Sequence, residues 1–139
     1  MALAIQVQFD CYDADRLADF WAIALDYQVQ PPPAGFPTWE AFLEANGFPI
    51  PPKGSVSAVV DPDGVGPRLL FQRVPEGKTV KNRVHLDVRA GTGRDAKVAE
   101  LVAAGGTELE RVEEQGGLWV VMADPEGNEL CVTGTDPDA

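Results

Sequence analysis

A chain of 139 residues with 45% hydrophobic residues and three tryptophans is long enough for one real core and too apolar for disorder, which argues against two separate domains. Its 22 acidic and 11 basic residues leave a formal charge of −11, so nucleic acid and anionic membranes are disfavoured as partners by long-range repulsion. The two cysteines, Cys11 and Cys131, stand far apart without CxxC or Cys/His spacing, which fits packed thiols in a reduced compartment better than a disulfide scaffold or a zinc module.

No apolar run approaches the roughly 18 residues a membrane helix needs. The opening Met1-Ala2-Leu3-Ala4-Ile5 has no charged n-region, so no signal peptide and a cytoplasmic location are expected. Eight of the basic residues fall between Arg68 and Lys97: Arg68, Arg73, Lys78, Lys81, Arg83, Arg89, Arg94 and Lys97. As a solvated strip they answer carboxylates elsewhere on the surface. The alternative is that two or three of them meet an anionic small molecule.

Residues 5–11 alternate, with Gln6, Gln8 and Asp10 on one face and Val7, Phe9 and Cys11 on the other, as in a strand with unlike faces. Asp13 is placed to cap a helix whose stripe is Leu17, Phe20, Trp21, Ala24 and Leu25. A short strand over residues 26–30 ends at Pro31-Pro32-Pro33, since proline cannot donate to a ladder. Residues 35–54 then form an insertion with a short helix capped by Thr38 and four aromatics to bury: Phe36, Trp39, Phe42 and Phe48. It either pads an edge or a dimer contact, or forms a lid over a cavity mouth, where Trp39 would stack on a ligand.

Strands are expected at residues 55–60 and 68–73 around the turn Asp61-Pro62-Asp63-Gly64. The plan then repeats. A strand at 83–89, a helix at 95–104 stopped by Gly105-Gly106, and strands at 109–113, 118–122 and 129–133 follow, the last two joined by Asp124-Pro125-Glu126-Gly127. Gln6-Val7-Gln8-Phe9-Asp10 and Arg83-Val84-His85-Leu86-Asp87 open the two halves. The chain therefore reads as two copies of one supersecondary unit, about 1–76 and 77–139, in a single domain spanning 1–139.

Taken with Phe20-Trp21, Val74-Pro75-Glu76, Lys81-Asn82 and the run from Trp119 to Glu129, these phrases resemble the vicinal oxygen chelate superfamily, in its glyoxalase-like, bleomycin-resistance-like branch. The resemblance covers nearly the whole chain. It implies an α+β fold in which two βαβββ modules form a half-open curved barrel around a ligand cavity, commonly in a homodimer. Metal-dependent members keep a His or Gln on the first strand of each module and a Glu on the last. Counted from Asp13 and Asp124, two of those positions fall on Gln6 and Cys131; the repeated phrase matches Gln6 with Arg83, and the first module's last strand offers Leu70 or Gln72, depending on how the longer Gly64-Val65-Gly66-Pro67 turn is aligned. A guanidinium has no lone pair to give a metal, so no metal cofactor is expected; the alternative is a divalent ion such as zinc, iron or manganese bound in another register, with Glu129 near His85.

With Gln6 and Arg83 facing the cavity, alternation adds Gln8, Asp10, His85 and Asp87 to one polar wall, beside Cys131 and Trp39. His85 is the candidate general acid or base, and Arg83 the candidate anion clamp. A buried structural pairing of Arg83 with Asp10 or Asp87 is the competing interpretation. The expected function is binding of a small organic ligand, which the basic residues allow to be anionic, between the modules; the alternative is a metal-dependent or His85-dependent lyase, isomerase or dioxygenase.

Overall fold

The computed structural model of the protein describes residues 1–135, in the order β1 (Val7–Cys11), α1 (Ala14–Leu25), β2 (Gln28–Val29), α2 (Trp39–Ala45), β3 (Val56–Val60), β4 (Leu69–Arg73), β5 (Leu86–Arg89), α3 (Arg94–Ala103), β6 (Thr107–Glu114), β7 (Gly117–Ala123) and β8 (Glu129–Thr133). Two four-stranded sheets result, ordered β1-β4-β3-β2 and β5-β8-β7-β6. In each, the first strand runs parallel to the last and the others are antiparallel. This is the expected α+β architecture of two βαβββ modules, and among the described residues the two sheets stay open, without closing into a barrel.

α1 starts where Asp13 accepts a hydrogen bond from the Arg16 amide at 3.2 Å, which satisfies one orphan helix donor. Leu17, Phe20, Trp21 and Ala24 are buried on its inner stripe. There they meet the inner faces of β1 and β4, where Phe9 lies 5.0 Å from Trp21 and 5.3 Å from Phe71 between ring centroids. Val98 and Leu101 of α3 and Val120, Met122, Leu130 and Val132 of the second sheet join the same apolar cluster. Both modules thus turn one face to a common core. The opposite faces, with Gln8 and Asp10 in the first sheet and Asp87 in the second, look outward.

The turns that close the two hairpins share one design with opposite electrostatics. Asp61 accepts from the amides of Gly66, Asp63 and Val65, which pull its exposed carboxyl below the usual range. Asp124 accepts from the Glu126 and Asn128 amides, the Asn128 side chain and the Trp21 indole. Asp124 is 3% exposed, and burial pushes its carboxyl up against those donors. Gly64 and Gly127 take φ of 70° and 86° in the paired turns, where a Cβ would be strained. Glu126 reaches from the second turn to accept the Tyr12 and Asp13 amides at 2.6 and 3.0 Å, tying the modules together.

The main departure from the expected elements lies at β5. It begins at Leu86, and residues 83–84 form a bend, so Arg83 and His85 precede the strand. β6 is longer than expected, carrying a register shift between Glu108 and Glu110 that absorbs an extra residue.

Both thiols are buried and free, as their spacing suggested. Burial, followed by the carboxylates of Glu126, Asp13 and Asp10, pushes the Cys11 thiol up to about 11. Alkylation of Cys11 by iodoacetamide should therefore keep accelerating until the pH nears 11, and a plateau near the ordinary value of 9.0 would contradict its burial. Because the folded value is the higher one, this thiol's contribution to stability is intact below 9.0 and lost as pH rises towards 11.

Candidate functional site

The outward faces carry two hollows, each lined by a single module. The first, of about 790 Å³, lies under α2 and over the first sheet; Val29, Trp39, Leu43, Ile50, Ala58 and Leu70 are among its apolar walls. Phe42 holds the cover together, with its ring 5.3 Å from Phe36, 5.9 Å from Trp39 and 6.5 Å from Phe48. Thr38 caps α2 by accepting from the Ala41 amide, and the Trp39 indole donates to the Gln30 carbonyl at 3.0 Å, anchoring the insertion to the end of β2. Nothing in α2 is buried. Val29, Trp39, Ile50 and Val56 are between 37% and 48% exposed around this hollow, a contiguous apolar surface of the kind that marks a binding site.

Asp15, Glu40 and Lys53 also line the hollow but are exposed, where water screens their charges. Arg68 is half-buried. Its Nε donates to Gln30 Oε1 at 2.8 Å and its Nη1 to Gln6 Oε1 at 2.9 Å. Two neutral amides thus orient the guanidinium without cancelling its charge, and among the described residues no carboxylate pairs with it. The remaining donors suit a carboxylate, phosphate or phosphonate.

The second hollow, of about 490 Å³, is lined by Lys81, His85, Asp87, Trp119, Val121, Glu129, Cys131 and Thr133. His85 Nε2 stands 3.3 Å from Asp87 Oδ1. Asp87 and Cys131 face each other across the β5–β8 ladder. Lys81 meets Glu129 at 2.5 Å and holds that carboxyl below its ordinary range. Burial raises the Cys131 thiol, assisted by Asp87 and Glu129.

Hydrogen-bond registers correct the alignment of the two halves. Counted back equally from Asp61 and Asp124, Val59 matches Met122; these pair with Leu69 and Leu130, which pair in turn with Val7 and Leu86. Gln6 therefore corresponds to His85, Gln8 to Asp87, and Leu70 to Cys131. Matching Gln6 to Arg83 by similarity of phrase is two residues out. Arg83 sits exposed in the bend, lines neither hollow, and makes no ion pair with Asp10 or Asp87 among the described residues. The expected single polar wall is divided: Gln6 and Gln8 belong to the first sheet's end, where Gln8 donates to Gln72 at 2.9 Å, Asp10 is exposed on the same face, and His85, Asp87 and Cys131 belong to the other module.

The four positions at which metal-dependent relatives hold their ion thus fall on Gln6, Leu70, His85 and Cys131. Leu70 has no donor atom, and the Gln6 carbonyl already serves Arg68, so the first module does not fit such a centre. The second does: His85, Asp87 and Cys131 bring one ligand atom each to within 4.8 Å of one another. The reason for expecting no metal was a guanidinium in the ligand shell, and with Arg83 outside the strand that reason falls away.

Two βαβββ modules packed on one shared core define the α+β fold of glyoxalase-like domains. The chain belongs to the glyoxalase-like domain family, whose model matches residues 6–133. Its fold is similar to a fosfomycin resistance protein, FosX, from Listeria monocytogenes, solved with Mn(II) and 1S,2S-dihydroxypropylphosphonic acid (6% identity, 99% of this chain and 95% of that one, TM-score 0.68). It is also similar to a glyoxalase/bleomycin resistance protein/dioxygenase family enzyme from Burkholderia phytofirmans PsJN (17%, 94% and 96%, 0.62) and a glyoxalase-related enzyme from Fulvimarina pelagi (16%, 97% and 89%, 0.62). No curated protein sequence matches the chain. No helix among the described residues is long and apolar enough to cross a membrane.

Arg68 was legible only as one member of the basic strip. The signal that singles it out is the step from Arg68 to Leu70 along the first module's last strand, which places both on the face that Gln6 shares.

Proposed function

We propose that this glyoxalase-like domain binds a small organic anion with an apolar body in the hollow of its first module, under the 35–54 insertion. The observation that carries the reading is an exposed apolar hollow of about 790 Å³ with a half-buried guanidinium that no carboxylate pairs with among the described residues. The apolar body would gain about 25 cal/mol for each Å² it removes from water, while Arg68 takes the charged group and Trp39 offers a ring face. A phosphonic acid in the Listeria relative supports an anion of this class. Calorimetric titration with arylcarboxylates and alkylphosphonates tests the reading; heats no larger than those of matched neutral amides would defeat it.

A homodimer completes the site in this reading. The two hollows face away from a core the modules share, so one chain does not bring them together, whereas a second copy can set its second module over the first. Sedimentation should return twice the chain mass at micromolar concentration. Arg83→Ala, at an exposed residue that lines neither hollow, should leave anion affinity within about twofold, as exposed charges contribute little.

The alternative of catalysis is favoured by one observation, the approach of His85 to Asp87 at 3.3 Å in the second hollow. A carboxylate beside an imidazole fixes its tautomer and suits it to proton transfer. A lyase, isomerase or dioxygenase reaction would then use the second module's hollow, which the dimer sets over the bound anion, and would be lost in His85→Ala.

A further inference from the structure

Three hydrogen bonds meet at Gln30, and two of them lead to opposite sides of the first hollow. Its amide N–H donates to the Ala58 carbonyl at 2.9 Å, which fixes its backbone against β3. Its carbonyl accepts from the Trp39 indole at 3.0 Å, and its side-chain Oε1 accepts from Arg68 Nε at 2.8 Å. A guanidinium only donates, so the orientation of this side-chain amide is forced. One residue therefore touches both the cover and the charged group beneath it.

The cover is otherwise lightly attached. Phe36, Trp39, Phe42 and Phe48 pack on one another, while α2 has no buried residue and, among the described residues, no extensive contact with another helix or strand. Its far end is pinned where Gly54 accepts from the Ala14 amide at 2.9 Å and the Lys53 carbonyl from Arg73 Nη2 at 3.2 Å. From residues 36–51, the Trp39 indole makes the only hydrogen bond to any residue outside 33–55 among the described residues. Gly35, at a φ of 91° with open space where a Cβ would stand, begins the stretch. This is an internally packed body with a fixed end, a permissive hinge and one latch.

We infer that residues 35–52 form a lid whose closure Gln30 couples to the anion held by Arg68, which makes Gln30 a positioning residue of the site. The inference rests on the anion site proposed above. Closed, the hollow sets Trp39, Leu43 and Ile50 on one side of the ligand and Val56, Ala58 and Leu70 on the other. Open, only the second group touches it, so the ligand binds the closed state more tightly, as any ligand-driven closure requires. The charge adds a second bias. An anion on the remaining Arg68 donors fixes the guanidinium, which fixes the Gln30 side chain and with it the carbonyl that Trp39 needs. A neutral ligand of the same shape lacks this second contribution.

Exchange of the Trp39 indole proton with solvent, followed by NMR on the full chain, reads the latch directly. Saturating benzoate should slow it about 2- to 12-fold, the weight of one hydrogen bond, while benzamide at equal concentration leaves it within about twofold. Gln30→Ala keeps the backbone carbonyl and so the latch itself. In that variant benzoate should still give heat in calorimetry but slow the exchange no more than benzamide does, a loss of coupling that a merely structural Gln30 would not cause. By reciprocity, Trp39→Phe should weaken benzoate by a factor similar to the slowing. Without any ligand, Arg68→Ala should speed the exchange, because the Gln30 side chain loses its anchor; this arm stands even if Gln30→Ala fails to fold by circular dichroism. No heat with benzoate in wild type would overturn the anion site and this inference with it. Heat without slowing, slowing that survives Gln30→Ala, equal slowing by benzamide, or unchanged exchange in ligand-free Arg68→Ala would each overturn the coupling alone.

Discussion

Replacing Arg68 by alanine should weaken binding of an arylcarboxylate or alkylphosphonate by about 10- to 150-fold, because a hydrogen bond to a charged group contributes about 1.5–3 kcal/mol and each 1.4 kcal/mol is tenfold. The fold should be unaffected. Arg68 is half-buried and bonded to two amides, Gln6 and Gln30, that water can resolvate. Arg68→Lys should recover only part of the affinity, since a point ammonium cannot keep both amides and also present a two-pronged face. Gln6→Ala, which loosens the guanidinium without removing its charge, should cost about threefold, less than one neutral hydrogen bond. Calorimetric titration reads all three. Equal affinities in wild type and Arg68→Ala would remove the guanidinium from the site.

Asp124→Ala should destabilise the protein by about 3–5 kcal/mol, the loss expected when one partner of a buried polar network is deleted. Four donors converge on this carboxylate: the Trp21 indole at 3.1 Å, the amides of Glu126 and Asn128 at 2.9 Å each, and the Asn128 side chain at 2.8 Å. Trp21 belongs to α1 and the remaining donors to the β7–β8 turn, so the network joins the modules as well as shaping the turn. Trp21 is fully buried and has nowhere else to send its N–H. The equivalent Asp61→Ala, in a turn whose donors are all local amides, should cost far less than Asp124→Ala, since those amides can turn to water. Denaturant unfolding of the two variants gives the comparison. Similar losses at both positions would mean that the bridge to Trp21 carries no weight.

The fold was legible because period-2 and period-3.6 patterns were strong and the two Asp-Pro turns marked the repeat. Asp13, Thr38 and Gly105 ended or began helices where backbone chemistry required it. The site was less legible, and β5 shows why. Val84 continues the alternation of Leu86 and Val88 in the sequence but is 78% exposed, because strand pairing begins only where β8 supplies a partner, at Leu86 opposite Leu130. Alternation reports the two faces of a strand, not its first residue. That difference moved Arg83 out of the sheet and brought His85 to the position matching Gln6. The sorting of polar residues into two hollows was also hidden, since a repeat pattern does not say whether two sheets turn their concave faces toward or away from each other; the shared core of α1 and α3 settles that within the chain.

Trp39 was recognisable by its place in an insertion, and the structure puts it at the first hollow, bound to the Gln30 carbonyl. Cys131 and Asp87 were recognisable only as face residues. Their pairing across parallel strands requires a register, which no local pattern encodes.

Amide chemical-shift mapping with a simple arylcarboxylate tests the central claim most directly, because it locates the ligand on one module or the other. The account predicts saturable shifts at Trp39, Val56, Ala58, Arg68 and Leu70, all absent in Arg68→Ala. Shifts confined to His85, Asp87, Cys131 and their neighbours, or no saturable shifts in wild type at millimolar ligand, would contradict it.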